Sequence, residues 1–562
     1  MDPTSYKSFL QLVQYFPYGN NIDVNNPTSS SVLISLLFLF LFLFFLLSLK
    51  FFSTKNPKTN NLPPSPPRLP IIGNLHQLGS LPHRSVASLA EKYGPLMLLK
   101  LGQTPTLVVS STKLAKEVIK SHDTICSNRV QNTAAKSIFY GCHDVAFASY
   151  GEHWRQARKL CVLELLSSKR VQSFQHVRDE EVARLVKKIE KCNKDNPLLC
   201  VINLKELLLS TSNNIVGRCV LGEKFVEEHD GYFGEVTRKA MVLLAEFCVG
   251  DVFPWLGWID VLKGFHGQLK ACAETLDKLV EKVIEERREK LKSGDDLPSE
   301  KDFVGVMLKL QQQDALDYHF TMENFKAILM VLFLLSLSRA HLLLHALSRL
   351  RELWPGVQMQ DMFVAGTDTT AVSLEWSMAE LMRNPTAMKK VQEEVRTIVG
   401  KKTKIETKDI QKMEYMKCVI KETLRLHPPG PLLLPRETTG SFNLEGYQIP
   451  PKTRVWINVW TMQRDPEIWE SPNQFVPERF MEEKKAVDFK GHDFEFIPFG
   501  SGRRMCVGMS FGIASFEYVL ANLLHWFDWK LPDGKLLDMT EQHGLAISKK
   551  LSLHLIPIPY GV

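Results

Sequence analysis

One cysteine stands in a setting suited to chemistry. Cys506 lies in the stretch Phe499-Gly500-Ser501-Gly502-Arg503-Arg504-Met505-Cys506-Val507-Gly508. Phe511, Ala514, Phe516, Val519, Leu520, Leu523 and Leu524 follow at helical spacing, so the cysteine falls just before a helix N-terminus. The dipole is positive there and the first N–H groups lack helical partners, which favours a thiolate. Gly500, Gly502 and Gly508 permit backbone conformations and close approaches that side chains block. Arg504 can answer an anionic group on a ligand, and Phe499 can cover the sulfur. The bland reading is a buried structural cysteine in a turn. The chemical reading is an axial thiolate ligand to a haem iron.

Three other constellations stand out. Ala365-Gly366-Thr367-Asp368-Thr369-Thr370 sits in a long helical pattern running to about Met382. A glycine and three threonines are poor choices inside a helix, and a broken local rule often marks function. The glycine leaves room for a ligand, the threonine hydroxyls can bind water or dioxygen, and Asp368 can carry protons. The alternative is a mildly strained helix. Glu422 and Arg425 share a helix face at i and i+3, which as a surface pair stabilises little. Trp154 and Arg158 stand one helical turn apart. Their plain reading is a core tryptophan beside a surface arginine.

These residues must be positioned by a large, mostly helical body. The chain has 562 residues and ordinary globular composition. Its ten cysteines show no C-x-x-C spacing, so neither a disulfide framework nor a zinc site is read. A net charge of +7 suits an acidic protein partner or an anionic membrane surface. No nucleic-acid motif is present. Residues 1–31 form a polar extension. Residues 32–49 are almost entirely Leu, Phe, Val and Ile, which predicts one transmembrane helix. Lys50, Lys55, Lys58 and Arg68 follow it, so the bulk of the chain is expected on the cytosolic side. Residues 50–70 read as a basic, proline-rich connector, stiff and extended. Leu96–Leu101 and Thr106–Ser110 predict a hairpin around Gly-Gln-Thr-Pro. From Lys113 to about Gln312 helical periodicity dominates. Strand signals return at Thr453–Val459 and Leu545–Ile556. The fold class is therefore mainly α with a minor β region.

Phe499, Gly502, Arg504, Cys506 and Gly508 together form Phe-x-x-Gly-x-Arg-x-Cys-x-Gly, which resembles the haem-binding loop of the cytochrome P450 family. The resemblance runs from about Val32 through residues 71–562, the expected haem-thiolate domain. Asp368 and Thr369 match the acid and alcohol of the family's oxygen-activating helix. Glu422 and Arg425, with Arg479 of Pro477-Glu478-Arg479-Phe480, match a structural triad beneath the haem. Trp154 and Arg158 match residues that bond a haem propionate, and Arg436 is offered for the same job. The proline tract resembles the hinge of microsomal members. The wording of residues 63–70 and 421–429 looks like the plant microsomal branch of the seventy-one clan.

The resemblance implies haem b, a single-pass anchor in the endoplasmic reticulum membrane, and NADPH oxidised by a partner NADPH–cytochrome P450 reductase, with cytochrome b5 as a further partner. It implies that RH, O2, NADPH and H+ give ROH, water and NADP+. The substrate would be a small apolar plant metabolite: a terpenoid, alkaloid, aldoxime or phenylpropanoid. Its pocket would draw on 130–142, 207–212, 362–365, 430–434 and 544–547. The rivals are a haem-thiolate isomerase or dehydratase needing no external electrons, and a haem-binding variant damaged by an insert. That insert, 331–360, separates two stretches that adjoin in the family pattern. It carries an amphipathic stripe, Leu343, Leu347, Leu350 and Trp354, closed by Pro355-Gly356.

Overall fold

The structure is a computed structural model that describes residues 35–40, 42–43, 61–195, 200–222, 239–240, 242–244, 246, 248–292, 302–313, 318–334, 368–481, 487–532, 537–544 and 546–561. The chain divides into two units, Met1–Asn60 and Asn61–Val562. In the first, residues 35–40 and 42–43 are helical and their side chains are exposed. The rest of the predicted anchor lies outside the described residues. Among the described residues no single helix is long and apolar enough to cross a membrane.

The second unit is mainly helical with a minor sheet component, as its periodicity predicts. Its principal helices are α1 (Pro82–Tyr93), α2 (Glu152–Leu160), α3 (Gln175–Asp195), α4 (Leu204–Leu221), α5 (Phe265–Lys292), α6 (Met322–Leu334), α7 (Asp368–Arg383), α8 (Pro385–Val399), α9 (Glu414–Leu426) and α10 (Met509–Trp526). Strands β1 (Leu96–Leu101), β2 (Thr104–Val109), β3 (Asn128–Arg129), β5 (Arg436–Glu437) and β8 (Arg454–Ile457) form one sheet in the order β1-β2-β8-β5-β3. Only β2 and β8 run parallel in it. A second sheet orders β4 (Ile202–Asn203), β12 (His554–Pro559) and β9 (Phe527–Lys530). β6 (Phe442–Leu444) pairs with β7 (Tyr447–Ile449), and β10 (Glu541–Gln542) with β11 (Ser548–Lys549).

α10 carries apolar residues over most of its length, and such a helix must be buried. Phe516, Val519, Leu520, Leu523 and Leu524 accordingly pack in one core with Trp376 of α7 and Val419 and Ile420 of α9. A second core joins α2, α5 and α6 through Leu160, Leu276 and Ile328. The cysteine loop leads straight into α10, so the first core holds it in place.

The predicted hairpin is present, but β2 begins at Thr104 and the turn shrinks to Gly102-Gln103. Gly102 has φ +60, and a Cβ there would meet Val252 Cγ1 at 2.4 Å. The late strand signal at 545–556 breaks into two short strands, β11 and β12. The proline tract is more than a connector. Leu98 N–H donates to Pro64 O at 2.9 Å, and the buried Asn74 side chain donates to Pro66 O and Pro67 O, each at 3.3 Å. Asn74 Oδ1 also accepts from Lys100 N at 2.8 Å, stapling the tract to β1. A disulfide joins Cys192, near the end of α3, to Cys200, with Cα atoms 5.6 Å apart. The sequence reading finds none, because a single close pair carries no spacing signature. The first residues of the predicted insert, 331–334, continue α6, and Val331 and Leu332 are buried. Residues 335–367 lie outside the described residues.

Candidate functional site

Cys506 N–H donates to Phe499 O at 3.0 Å, closing the loop into a tight curl. Gly502 has φ +69, and a Cβ there would meet Ile119 Cγ2 at 2.7 Å, so both backbone sign and space demand glycine. Gly508 has φ −87 and only an ordinary contact with the sulfur. It serves as the N-cap of α10.

The loop opens into a cavity of about 340 Å³. Cys506 presents surface to this cavity while protein surrounds it. The helix-end effect read from the sequence acts in the expected direction, against burial. Burial pushes the Cys506 thiol above its ordinary value, and the N–H groups of Gly508 and Met509 with the Arg158 charge only partly offset this. A bound metal ion would favour the ionised form.

Thr369, Thr370 and Ser373 of α7 line the same cavity. Asp368 begins α7, but its side chain lies outside the described residues. Phe139, Val216, Val220, Val331, Leu332 and Leu434 supply apolar wall. The expected pocket stretch 430–434 is there, as are Gly544 and Ile547. The stretch 207–212 is not. The wall from α4 comes from Val216 and Val220, more than a turn later, because a helix crossing a cavity presents only one short span.

Cations are the unusual feature. Arg129, Arg158, Arg436 and Arg504 all line the cavity. Arg158 Nη1 donates to Met505 O at 2.8 Å. Arg436 lies 3.4 Å from Asp123 and donates to Ser501 O at 2.9 Å. Arg504 donates to Ser127 O and Ala148 O, and its Nη1 is buried without a partner among the described residues. Burial lowers Arg504 to about 9, with Arg436 adding to the drop. Arg129 is pushed well down by burial, then by Arg504 and Arg436. Two carboxylates face them. Asp123 also pairs with Arg503 at 2.6 Å, and burial raises Asp144 to about 6. The pocket thus holds excess buried positive charge, which calls for an anionic ligand. Trp154 does not offer its indole N–H to that ligand. It donates to Val145 O at 3.0 Å, while the ring lies under Arg504 at 4.2 Å and Arg158 at 5.7 Å. The sequence reading missed Arg129. It donates to Leu434 O and Pro435 O across some three hundred residues, and no local signal announces that.

Glu422, Arg425 and Arg479 do come together. Arg425 Nε and Nη2 donate to the two Glu422 oxygens at 2.7 and 2.8 Å, and Arg479 Nε reaches Glu422 Oε1 at 3.1 Å. Glu422 and Arg425 are wholly buried.

Comparisons with known proteins agree with this geometry. The cytochrome P450 family model matches residues 63–336 and 356–556. The chain is 49% identical to phenylacetaldehyde oxime monooxygenase CYP71AN24 of Prunus mume over 91% of each chain. It is 44% identical to desmethylyatein synthase of Sinopodophyllum hexandrum, over 93% of this chain and 98% of that one. A solved zebra fish cytochrome P450 with abiraterone shares the fold at a TM-score of 0.66 and 23% identity, covering 85% of this chain and 100% of that one. A matching fold, a lone cysteine on a cation-lined cavity and relatives of this similarity lead to one conclusion: the chain belongs to the cytochrome P450 family, as a plant monooxygenase of the seventy-one type.

Proposed function

We propose that this enzyme holds haem b through Cys506 and inserts one atom of dioxygen into a small, largely apolar plant specialised metabolite. Electrons come from NADPH through a membrane-bound reductase. The observation that carries the reading is the joint presence, on one cavity, of Cys506 and the buried cations Arg129, Arg158, Arg436 and Arg504. Haem brings two carboxylates, and this charge excess suits them. Bound haem supplies dioxygen activation, favoured by an electron-rich thiolate.

The chain's own residues then have distinct tasks. Cys506 ligates, and the loop's curl fixes its sulfur. Arg158, Arg436 and Arg504 hold the haem carboxylates, with Trp154 stacking on Arg504 to fix its plane. Phe499 lines the cavity beside the sulfur and limits water. Thr369 and Asp368 deliver protons to the distal side. Glu422, Arg425 and Arg479 hold the segments beneath. The run at 32–49 anchors the chain in the endoplasmic reticulum membrane. Reductase docking falls to the α2 side, which carries Arg155 and Lys159. The aldoxime class gains support from the Prunus mume relative.

The test is NADPH consumption by the purified chain with and without a plant reductase, alongside product analysis on an aldoxime panel. Reductase-dependent turnover supports the reading. Product formation without NADPH points to the isomerase or dehydratase alternative. Thr369→Ala is expected to lower product per NADPH and release hydrogen peroxide, with a loss on the order of 10²-fold in productive turnover. Unchanged coupling places the proton route elsewhere.

The segment 331–360 is read as an insertion, supported by a family match that passes over 337–355. Val331 and Leu332 already serve the cavity wall, so the informative variant removes 337–355 alone. It is expected to bind more haem and melt about 2 °C higher or more. Equal haem content and melting temperature show the insertion to be benign.

A further inference from the structure

The cavity wall between β3 and α2 contains a turn that its own residues do not favour. Tyr140, Gly141 and Cys142 follow one another with φ 49, 73 and 64 degrees. Left-handed backbone suits glycine and is costly for a residue with a side chain, so two of the three positions are strained. Local bonds close the turn. Gly141 N–H donates to Lys136 O at 2.8 Å, and His143 N–H to Phe139 O at 3.0 Å. Strain of this kind persists where the surroundings over-determine it.

A charge cluster supplies that outside hold. Tyr140 O–H donates to Asp277 Oδ1 of α5. Lys326 Nζ of α6 donates to the same oxygen at 2.7 Å and pairs with Glu281 of α5. One carboxylate therefore joins the turn, α5 and α6. Burial pushes Asp277 up, but the bonds from Lys326 and Tyr140 outweigh it and hold the carboxyl below its ordinary value, so it is ionised and only accepts. Burial, and then the Asp277 bond, raise the Tyr140 pKa, so the hydroxyl keeps the proton it donates. The Lys326 side chain is 11% exposed but that of Asp277 is 41% exposed, so solvent keeps the strength of the cluster modest.

The clamped parts face the cavity. Phe139, next to Tyr140, and Phe147 both line it, with ring centroids 5.6 Å apart and planes 14° from parallel. Val331 and Leu332, less than two turns beyond Lys326 on α6, line it too. The far end of the same wall segment is tied separately, by Trp154 to Val145 O and by Arg129 Nε to Ala146 O at 3.2 Å.

We propose that Tyr140 is a positioning residue for substrate binding: through Asp277 and Lys326 its hydroxyl sets Phe139 and Phe147 against the α6 wall, and so fixes the slot that takes a flat aromatic part of the substrate. The inference rests on the reading of this cavity as the substrate pocket of a haem enzyme.

The test compares the full-length protein with Tyr140→Phe, which deletes one oxygen atom and keeps the ring, with Asp277→Ala, and with the double variant. The probes are 1-phenylimidazole, whose free nitrogen can ligate the iron while its phenyl group meets the wall, and 1-methylimidazole, which has no phenyl group. Each single variant is expected to weaken 1-phenylimidazole about fivefold, with 1-methylimidazole unchanged within about twofold. The double variant should weaken it no further, since both changes remove one bond. Hydrogen exchange over 139–147, which needs no haem, should run about fivefold faster in Tyr140→Phe, with 509–526 unchanged. Unmoved exchange overturns the clamp. Faster exchange with the phenyl preference intact overturns its role at the wall, as does equal weakening of both probes. A wild-type chain that binds neither imidazole overturns the haem reading instead, and the exchange result then decides the clamp by itself.

Discussion

Cys506→Ser is expected to abolish the carbon-monoxide band of a thiolate-ligated haem and all monooxygenase turnover. A serine hydroxyl keeps the loop's shape, since the Cys506 N–H to Phe499 O bond belongs to the backbone. The cavity and its cations are untouched, so the variant is expected to fold and to retain some haem through Arg158, Arg436 and Arg504. It lacks the soft, easily deprotonated ligand. The wild-type thiol is itself raised by burial, a bound iron would favour its ionised form, and a hydroxyl is far harder to ionise. The check is a reduced carbon-monoxide difference spectrum of variant and wild type at matched haem content. A normal band in the variant sinks the ligand assignment.

Glu422→Ala is expected to destabilise the catalytic unit by about 3–5 kcal/mol, because breaking a buried ion pair strands its partner's charge. Glu422 takes two bonds from Arg425, one from Arg479, and one from Val476 N–H at 2.9 Å. Arg425 would keep its bonds to Gln463 O, Pro472 O and Gln474 O, yet stand wholly buried without its one salt-bridge partner among the described residues. A loss of that size is a large part of the stability of an ordinary domain. Haem-loaded yield should collapse, and what survives should melt far lower. Arg425→Lys should fall between, since lysine cannot reproduce the two-pronged bond. An Ala variant with wild-type melting and haem content shows the triad to be dispensable.

What the sequence revealed were the parts whose chemistry is local. The cysteine loop announces itself because its glycines, arginine and thiol lie within ten residues, and the loop closes on itself in the structure. Glu422 and Arg425 are legible as a helical pair, and Arg479 by its motif. The helical bulk and both strand regions followed from periodicity. The rest is set by distant contacts. Arg129 reaches its carbonyls from a two-residue strand, and nothing in Ser127-Asn128-Arg129 marks it. The Trp154 indole is taken by Val145 O, a partner that only the intervening loop's path supplies. The thiol's upward shift reflects enclosure by the whole fold, which outweighs the helix-end effect read from the loop alone. His83 is held by Glu541, more than four hundred residues away.

The central claim is that this cavity closes on an iron held by Cys506. X-ray absorption at the iron edge of the purified wild-type enzyme tests it most directly. The account predicts one sulfur scatterer in the iron's first coordination shell, lost in Cys506→Ser. A first shell of nitrogen and oxygen only, or a sulfur that persists in that variant, contradicts it.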